Sequence, residues 1–250
     1  MTEVYKVDVF TNRPLKGNPA TVVLGIFDDD LMQRLAFELN VSETVFIKDF
    51  NLRFFTPTKE VELCGHATLG AFYVLKLKGL KEGEYTANTR AGKVKVRVED
   101  KVWLKVYPKL ICEGDVAIVD VGIRIGLKEV KNFESLMSLK PYDFTNLCRD
   151  LEVTGIYFYT FDSKFDACGR FFAPNYGIPE DPVTGTANSA LAYYLHASGK
   201  LVKDCYVFEQ GHALGREGVI YVKVEDGVWV GGNAVLVLKG KLEWQTINSL

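Results

Sequence analysis

The sequence predicts an α+β fold of two pseudo-symmetric domains, each a mostly antiparallel β-sheet or barrel wrapped around one central, buried α-helix. Three observations carry that prediction. Blocks of sequence recur in the same order, two helix-length segments are apolar on nearly every face, and short alternating runs of β-branched and aromatic residues surround both segments.

From the N-terminus, alternation at Val4–Phe10 and Ala20–Leu24 marks two strands. A surface helix carrying Leu35 and Leu39 follows, then a strand from Val41 to Ile47 and another at Leu52–Phe55. The segment Gly65–Gly79 has almost no polar face, so it must be a helix enclosed on all sides, with Gly79 supplying a left-handed cap. Val94–Val98 and Val102–Val106 flank Glu99-Asp100 and read as a hairpin.

The second half repeats this plan. Arg216–Trp229 matches Arg90–Trp103 in the frame R-x-G-x-x-x-V-x-V-E-D-x-V-W. Arg170-Phe-Phe-Ala-Pro174 echoes Arg53-Phe-Phe-Thr-Pro57, Gly185–Gly199 has the length of Gly65–Gly79, and Leu147, Leu151 and Val153 match Leu35, Leu39 and Val41. The halves divide in the stretch 108–116. The expected domains are residues 1–112, with a central helix at about 65–78, and residues 113–250, with a central helix at about 185–198. The C-terminal strand is a candidate to cross back to the first half, and the short connection implies a cleft where the halves meet.

A net charge of −2 without a Lys/Arg cluster argues against nucleic acid or anionic membrane as the partner. The N-terminus alternates like a strand instead of carrying a signal-peptide core, and no apolar run reaches the roughly 20 residues that span a bilayer. The five cysteines, Cys64, Cys112, Cys148, Cys168 and Cys205, lack disulfide-framework or zinc spacing, so the cytoplasm is the expected compartment. No metal motif, Walker loop or dinucleotide fingerprint is present; the expectation is no cofactor and no metal.

Candidate chemistry gathers at two places. Glu43 shares a strand face with Val41, Val45 and Ile47, and an acid on an apolar face is costly unless paired or used. Burial is expected to raise its pKa toward neutrality, suiting a group that accepts and returns a proton. The matching position in the second half is Gly155. A rim glutamate paired with Lys or Arg is the plainer alternative.

The two helix starts are the other place, because free N–H groups there hold carboxylates. Gly65 and Ala67 at the first start, and Gly185 and Thr186 at the second, are candidate substrate contacts. Thr184 caps its helix through the hydroxyl, touches substrate, or does both, since capping does not exclude substrate contact. His66, in the first turn, is either structural or a neutral relay whose pKa the helix end depresses. Asp181 before Pro182 is a turn former or a catalytic partner. Asn18 in a Gly-Asn-Pro turn is a weaker binding candidate, while His196, His212, Arg90 and Arg216 receive no assignment.

Gly17-Asn-Pro-Ala20, Ser42-Glu-Thr44, Phe55-Thr-Pro57, Cys64-Gly-His-Ala-Thr68 and Glu180-Asp-Pro-Val-Thr-Gly185 occur in this order. Together they resemble the PhzF-like, phenazine-biosynthesis family, which shares the diaminopimelate-epimerase fold; the resemblance covers the whole chain. It implies cofactor-free isomerase chemistry on a small carboxylate-bearing substrate at the domain interface, and commonly a homodimer. It also implies that Glu43 transfers the proton while His66 and Asp181 assist. Related epimerases use one thiol at each helix start. Cys64 occupies the first position, but Pro182-Val-Thr-Gly185 offers no second cysteine, so Cys64 reads as a small buried residue beside the substrate. A non-catalytic binding module on the same fold is the reading from another class.

Overall fold

A computed structural model describes residues 2–243 of the chain. The first half contributes β1 (Thr2–Val9), β2 (Asn18–Leu24), α1 (Asp29–Leu39), β3 (Glu43–Lys48), β4 (Asn51–Phe55), β5 (Glu60–Val61), α2 (Gly65–Leu77), β6 (Gly83–Thr89), β7 (Gly92–Val98) and β8 (Val102–Val106). The second contributes β9 (Lys109–Cys112), β10 (Ala117–Asp120), β11 (Arg124–Glu129), α3 (Phe133–Ser138), α4 (Thr145–Asp150), β12 (Gly155–Thr160), β13 (Ala167–Ala173), β14 (Ile178–Asp181), α5 (Gly185–Ala197), β15 (Cys205–Gln210), β16 (Gly218–Val224) and β17 (Val228–Gly232). The last strand, β18 (Ala234–Leu242), follows.

Two compact units result. One holds the chain up to Leu104 together with the segment from Asn233 onward, and the other is Lys105–Gly232. The division therefore falls before the expected boundary at 112/113. The stretch read as a connection contributes strand β9, because Leu110 and Cys112 pair with Val119 and Ile118 of β10. The C-terminal strand belongs to the first unit: β18 pairs antiparallel with β1 from Thr2↔Leu242 to Val9↔Ala234.

Within the first unit β1 also pairs antiparallel with β2, β2 runs parallel to β3, β3 antiparallel to β4, and β4 parallel to β6, which leads the β6–β7–β8 meander. The second unit has the same sequence of pairings: β9–β10–β11 antiparallel, β11–β12 parallel, β12–β13 antiparallel, β13–β15 parallel, then β15–β16–β17 antiparallel. In that correspondence β9 stands where β18 stands in the first unit.

Each unit is built on its enclosed helix. In α2 every residue from His66 to Phe72, and Val74, is buried, and α5 is buried at Gly185, from Ala187 to Ala192, and at Tyr194 and Leu195. Each large apolar side chain so placed, such as Leu69, Phe72 or Leu191, contributes about 1.5–3 kcal/mol. Gly70 lets α2 lie against the sheet, since a Cβ there would sit 2.9 Å from Val7 Cγ2. Gly79 and Gly199, at φ 100° and 69°, stand just past the helix ends in the expected left-handed conformation.

The opposite sheet faces are covered by short helices. Helix α1 is capped by Asp28, whose carboxylate accepts from the Leu31 N–H at 2.9 Å, and it lays Met32, Leu35 and Ala36 on Val23, Phe46 and Phe55. In the second unit Leu136 of α3 and Cys148 of α4 join Ile156, Phe158 and Phe172. The Arg-Phe-Phe repeat serves this architecture. Arg170 holds Glu180 through paired bonds of 2.9 and 2.7 Å and donates to the Leu136, Met137 and Leu139 carbonyls, while Arg53 holds Glu60 in the equivalent place. Arg90 also pairs with Glu60, at 2.9 Å, which gives that repeated arginine a structural job. Among the described residues no helix is long and apolar enough to cross a membrane.

Candidate active site

In the first unit three of the expected residues meet. Glu43 opens β3, paired with Ala20 of the parallel β2, and Cys64 and His66 stand at the start of α2, so one short strand end and one helix tip converge. His66 Nε2 lies 3.2 Å from Glu43 Oε2, and its other ring nitrogen lies 3.5 Å from Cys64 Sγ. The imidazole therefore bridges a carboxylate and a thiol. All three are largely enclosed, with the Glu43 side chain 17% exposed and that of His66 9%.

Ser42, which reasoning from the strand face passed over, completes the group. Its hydroxyl donates to the Pro19 carbonyl at 2.9 Å and lies 3.4 Å from His66 Nε2 and 3.5 Å from Asn18 Oδ1. Alternation set Ser42 on the face opposite Glu43, but β3 begins only at Glu43, so Ser42 is not bound by the pleat. Asn18, fully buried at the head of β2, joins through it. Gly65 and Ala67 lie in the first turn of α2; a Cβ at Gly65 would meet only Leu104, at 3.7 Å. The Cys64 side chain caps no N–H of that helix.

The charges differ from the sequence expectation. Burial pushes the Glu43 carboxyl up, but the charge and hydrogen bond of His66, helped by Ser42 and Cys64, outweigh it and hold Glu43 below the ordinary value. Burial pushes the His66 imidazole down, and the helix end was expected to do the same. The Cys64 sulfur and the Glu43 carboxylate overcome both, so His66 sits well above the ordinary histidine value. Burial, then the Glu43 charge, raises the Cys64 thiol. The resting pair is thus a Glu43 carboxylate against a His66 imidazolium.

The remaining expected residues lie in the second unit. Asp181 ends β14 and Thr184 is the N-cap of α5, but the Thr184 hydroxyl does not cap the helix; it donates to Asp181 Oδ2. Gln210, which the sequence did not single out, organises this corner. It accepts from the Thr184 N–H at 3.1 Å and from Asn188 Nδ2 at 2.9 Å, and donates to the Asp181 carbonyl at 2.9 Å and to Thr184 Oγ1 at 3.1 Å. Gly185 and Thr186 begin the helix. At the position matching Glu43, Gly155 has no room for a side chain, because a Cβ would sit 2.5 Å from both the Phe171 ring and the Phe172 carbonyl oxygen.

The ligand atoms of Glu43, Cys64 and His66 lie within 4.8 Å of one another, a donor set chemically able to hold a soft divalent ion. Sequence spacing hid it, since residue 43 and residues 64–66 meet only through the fold.

Residues 7–107 and 116–240 match the PhzC-PhzF family of phenazine biosynthesis-like proteins. The chain is 34% identical to an uncharacterized isomerase of Clostridium acetobutylicum, over 96% of this chain and 97% of that protein. It is 31% identical to the uncharacterized isomerase YfhB of Bacillus subtilis, over 95% and 94%. A PhzF-family phenazine biosynthesis protein from Enterococcus faecalis superposes with a TM-score of 0.80 at 27% identity, covering 97% of this chain and 99% of that one. A hydroxyproline epimerase from Agrobacterium vitis, solved with trans-4-hydroxy-L-proline, superposes at 0.65 with 13% identity over 96% and 92%, a likeness of fold alone.

Proposed function

Because the chain belongs to the PhzC-PhzF family of phenazine biosynthesis-like proteins, we propose that it is a cofactor-independent isomerase that moves a proton next to a carboxylate-bearing carbon of a small substrate. The observation that carries this reading is the Glu43–His66 pair at 3.2 Å, placed at the N-terminus of a buried helix. Glu43 is the acid/base. Held below its ordinary pKa, it is a carboxylate at neutral pH and ready to take a proton first. The adjacent His66 imidazolium offsets negative charge developing on the substrate, and the uncapped N–H groups of α2 bind an acidic group. The protonated Glu43 then returns the proton, to another carbon for double-bond migration or to the opposite face for epimerisation. On the resemblance, Asp181 assists; from their places at the two helix starts and the Gly-Asn-Pro turn, Asn18, Cys64, Gly65, Ala67, Thr184, Gly185 and Thr186 are the proposed substrate contacts. The same resemblance implies a homodimer, which sedimentation checks, and the scattered cysteines favour the cytoplasm.

A second reading has its own support: Cys64 Sγ lies 3.5 Å from His66, as a thiol acid/base requires. Against it, the matching position in the second half is Thr184, so the partner thiol of a two-cysteine racemase is lacking. One experiment separates the readings. The protein is incubated in deuterated water with a panel of amino and hydroxy acids, and mass gain is recorded for wild type, Glu43→Gln and Cys64→Ser. Exchange lost in Glu43→Gln and kept in Cys64→Ser supports the carboxylate mechanism; the reverse pattern refutes it.

A further inference from the structure

We propose that the second unit carries a binding site for a zinc-class divalent cation, made by Cys168 Sγ, Glu209 and His212 Nε2. The fold brings the three together from separate places. The parallel pairing of β13 with β15 sets Cys168 opposite Glu209, so both side chains leave the same sheet face. Gly211, at φ 98°, then turns the chain into the short helical turn His212–Leu214. The three ligand atoms lie within 4.8 Å of one another, with His212 Nε2 3.2 Å from Glu209 Oε2.

The donor set decides the class of ion. Thiolate, imidazole and carboxylate suit zinc and its first-row neighbours, whereas magnesium and calcium take oxygen donors. Bonds of about 2.0–2.3 Å to one ion need only small side-chain rotations from the present spacing.

Two further features favour a ligand. His212 Nε2 is buried and faces Glu209 Oε2 at 3.2 Å, so two donor atoms of different chemistry already converge on one point. The surroundings also hold the donors in place, as outer partners of metal ligands do. Ser163 Oγ donates to Glu209 Oε1 at 2.8 Å and leaves Oε2 facing His212, while the Phe133 ring stands edge-on to the imidazole at a centroid distance of 5.4 Å. Cys168 is fully buried, and its thiol is pushed up to about 12 by burial and by the Glu209 charge. Its proton leaves when a cation arrives, so binding strengthens as pH rises.

The site is peculiar to this half. The matching pair in the first unit is Asn51 and Asn88, which hydrogen-bond to each other at 3.1 Å and offer no comparable donors. It also shares no residue with Glu43, Cys64 and His66, so it stands or falls independently of the proposed isomerase chemistry.

The test is a Co²⁺ titration of the chelator-treated full chain, followed by absorption and calorimetry. Wild type is expected to bind one Co²⁺ at this site with a near-ultraviolet thiolate-to-cobalt band that Zn²⁺ bleaches. Cys168→Ser should abolish the band that belongs to this site, while Cys64→Ser keeps it. Because Cys168 is fully buried in the core, where substitution also perturbs folding, the less buried His212→Gln provides a second arm. Its affinity should fall by more than the about 10–100-fold seen on losing an outer-shell partner, with the circular dichroism unchanged. The proposal is overturned if wild type binds no Co²⁺, if His212→Gln binds as tightly as wild type, or if the band follows Cys64 instead of Cys168.

Discussion

Replacing Glu43 by Gln keeps the size of the side chain and removes its charge, leaving the His66 imidazolium without its counter-ion. At 3.2 Å and an effective dielectric of about 20, the attraction lost is about 5 kcal/mol. Partial exposure of Glu43 places the net cost at the low end of the range for broken buried pairs, about 3 kcal/mol. Its pH dependence is specific. Glu43 titrates below its ordinary 4.5 in the folded protein, so its stabilisation is present above that value and is lost as pH falls through the depressed pKa. His66 titrates well above its ordinary 6.5, so its stabilisation is complete below that value and is lost as pH rises through the raised pKa. The stability gap between wild type and variant should therefore be widest between about pH 4.5 and 6.5 and narrow on either side. Urea unfolding across pH measures it, and NMR of the His66 ring gives the second readout: its titration should move down in Glu43→Gln. Since the pair is enclosed, added salt should change little. An unchanged His66 titration, or a gap independent of pH, would refute the ion pair.

Other perturbations probe the scaffold and the chemistry. Arg170→Ala should cost about 3–5 kcal/mol in urea unfolding, because it strands Glu180 and three carbonyls. Arg53→Ala should cost less, since Glu60 keeps Arg90, and equal losses would contradict that asymmetry. Gln210→Ala should cost about 1–3 kcal/mol for each buried group left unpaired, chiefly the Thr184 N–H and Asn188 amide. Gly155→Ala should cost about 1–3 kcal/mol by overpacking against Phe171, read as about 2–4 °C of Tm per kcal/mol. Once a substrate is found, kcat/KM should rise through a pKa below 4.5 and fall through one well above 6.5.

The duplication was readable because the repeated blocks are the parts that must pack: the Arg-Phe-Phe strand, the enclosed helix and the Val-rich hairpin all return as matched elements. The domain limit was not, because residues 109–112 look like a connection yet find a strand partner in β10, and local sequence does not encode which edge a strand will meet. Glu43 stood out as an acid on an apolar face. The proximity of His66 and Cys64 to it could only be supplied by tertiary structure, and with it the direction of the charge shifts. Ser42 and Gln210 were missed for different reasons, one by a strand boundary one residue off, the other because a lone glutamine carries no pattern. Thr184 looked like a helix cap and instead turns its hydroxyl to Asp181.

The return of β18 to β1 has a consequence for how the molecule matures on the ribosome. The stretch Lys105–Gly232 is continuous and contains both members of each pairing from β9 to β17, whereas β1 must wait, with one edge bare, for a strand made after all of them. The half translated first is thus the half completed second, and a nascent chain halted before residue 234 would expose an unpaired strand edge to any passing extended segment.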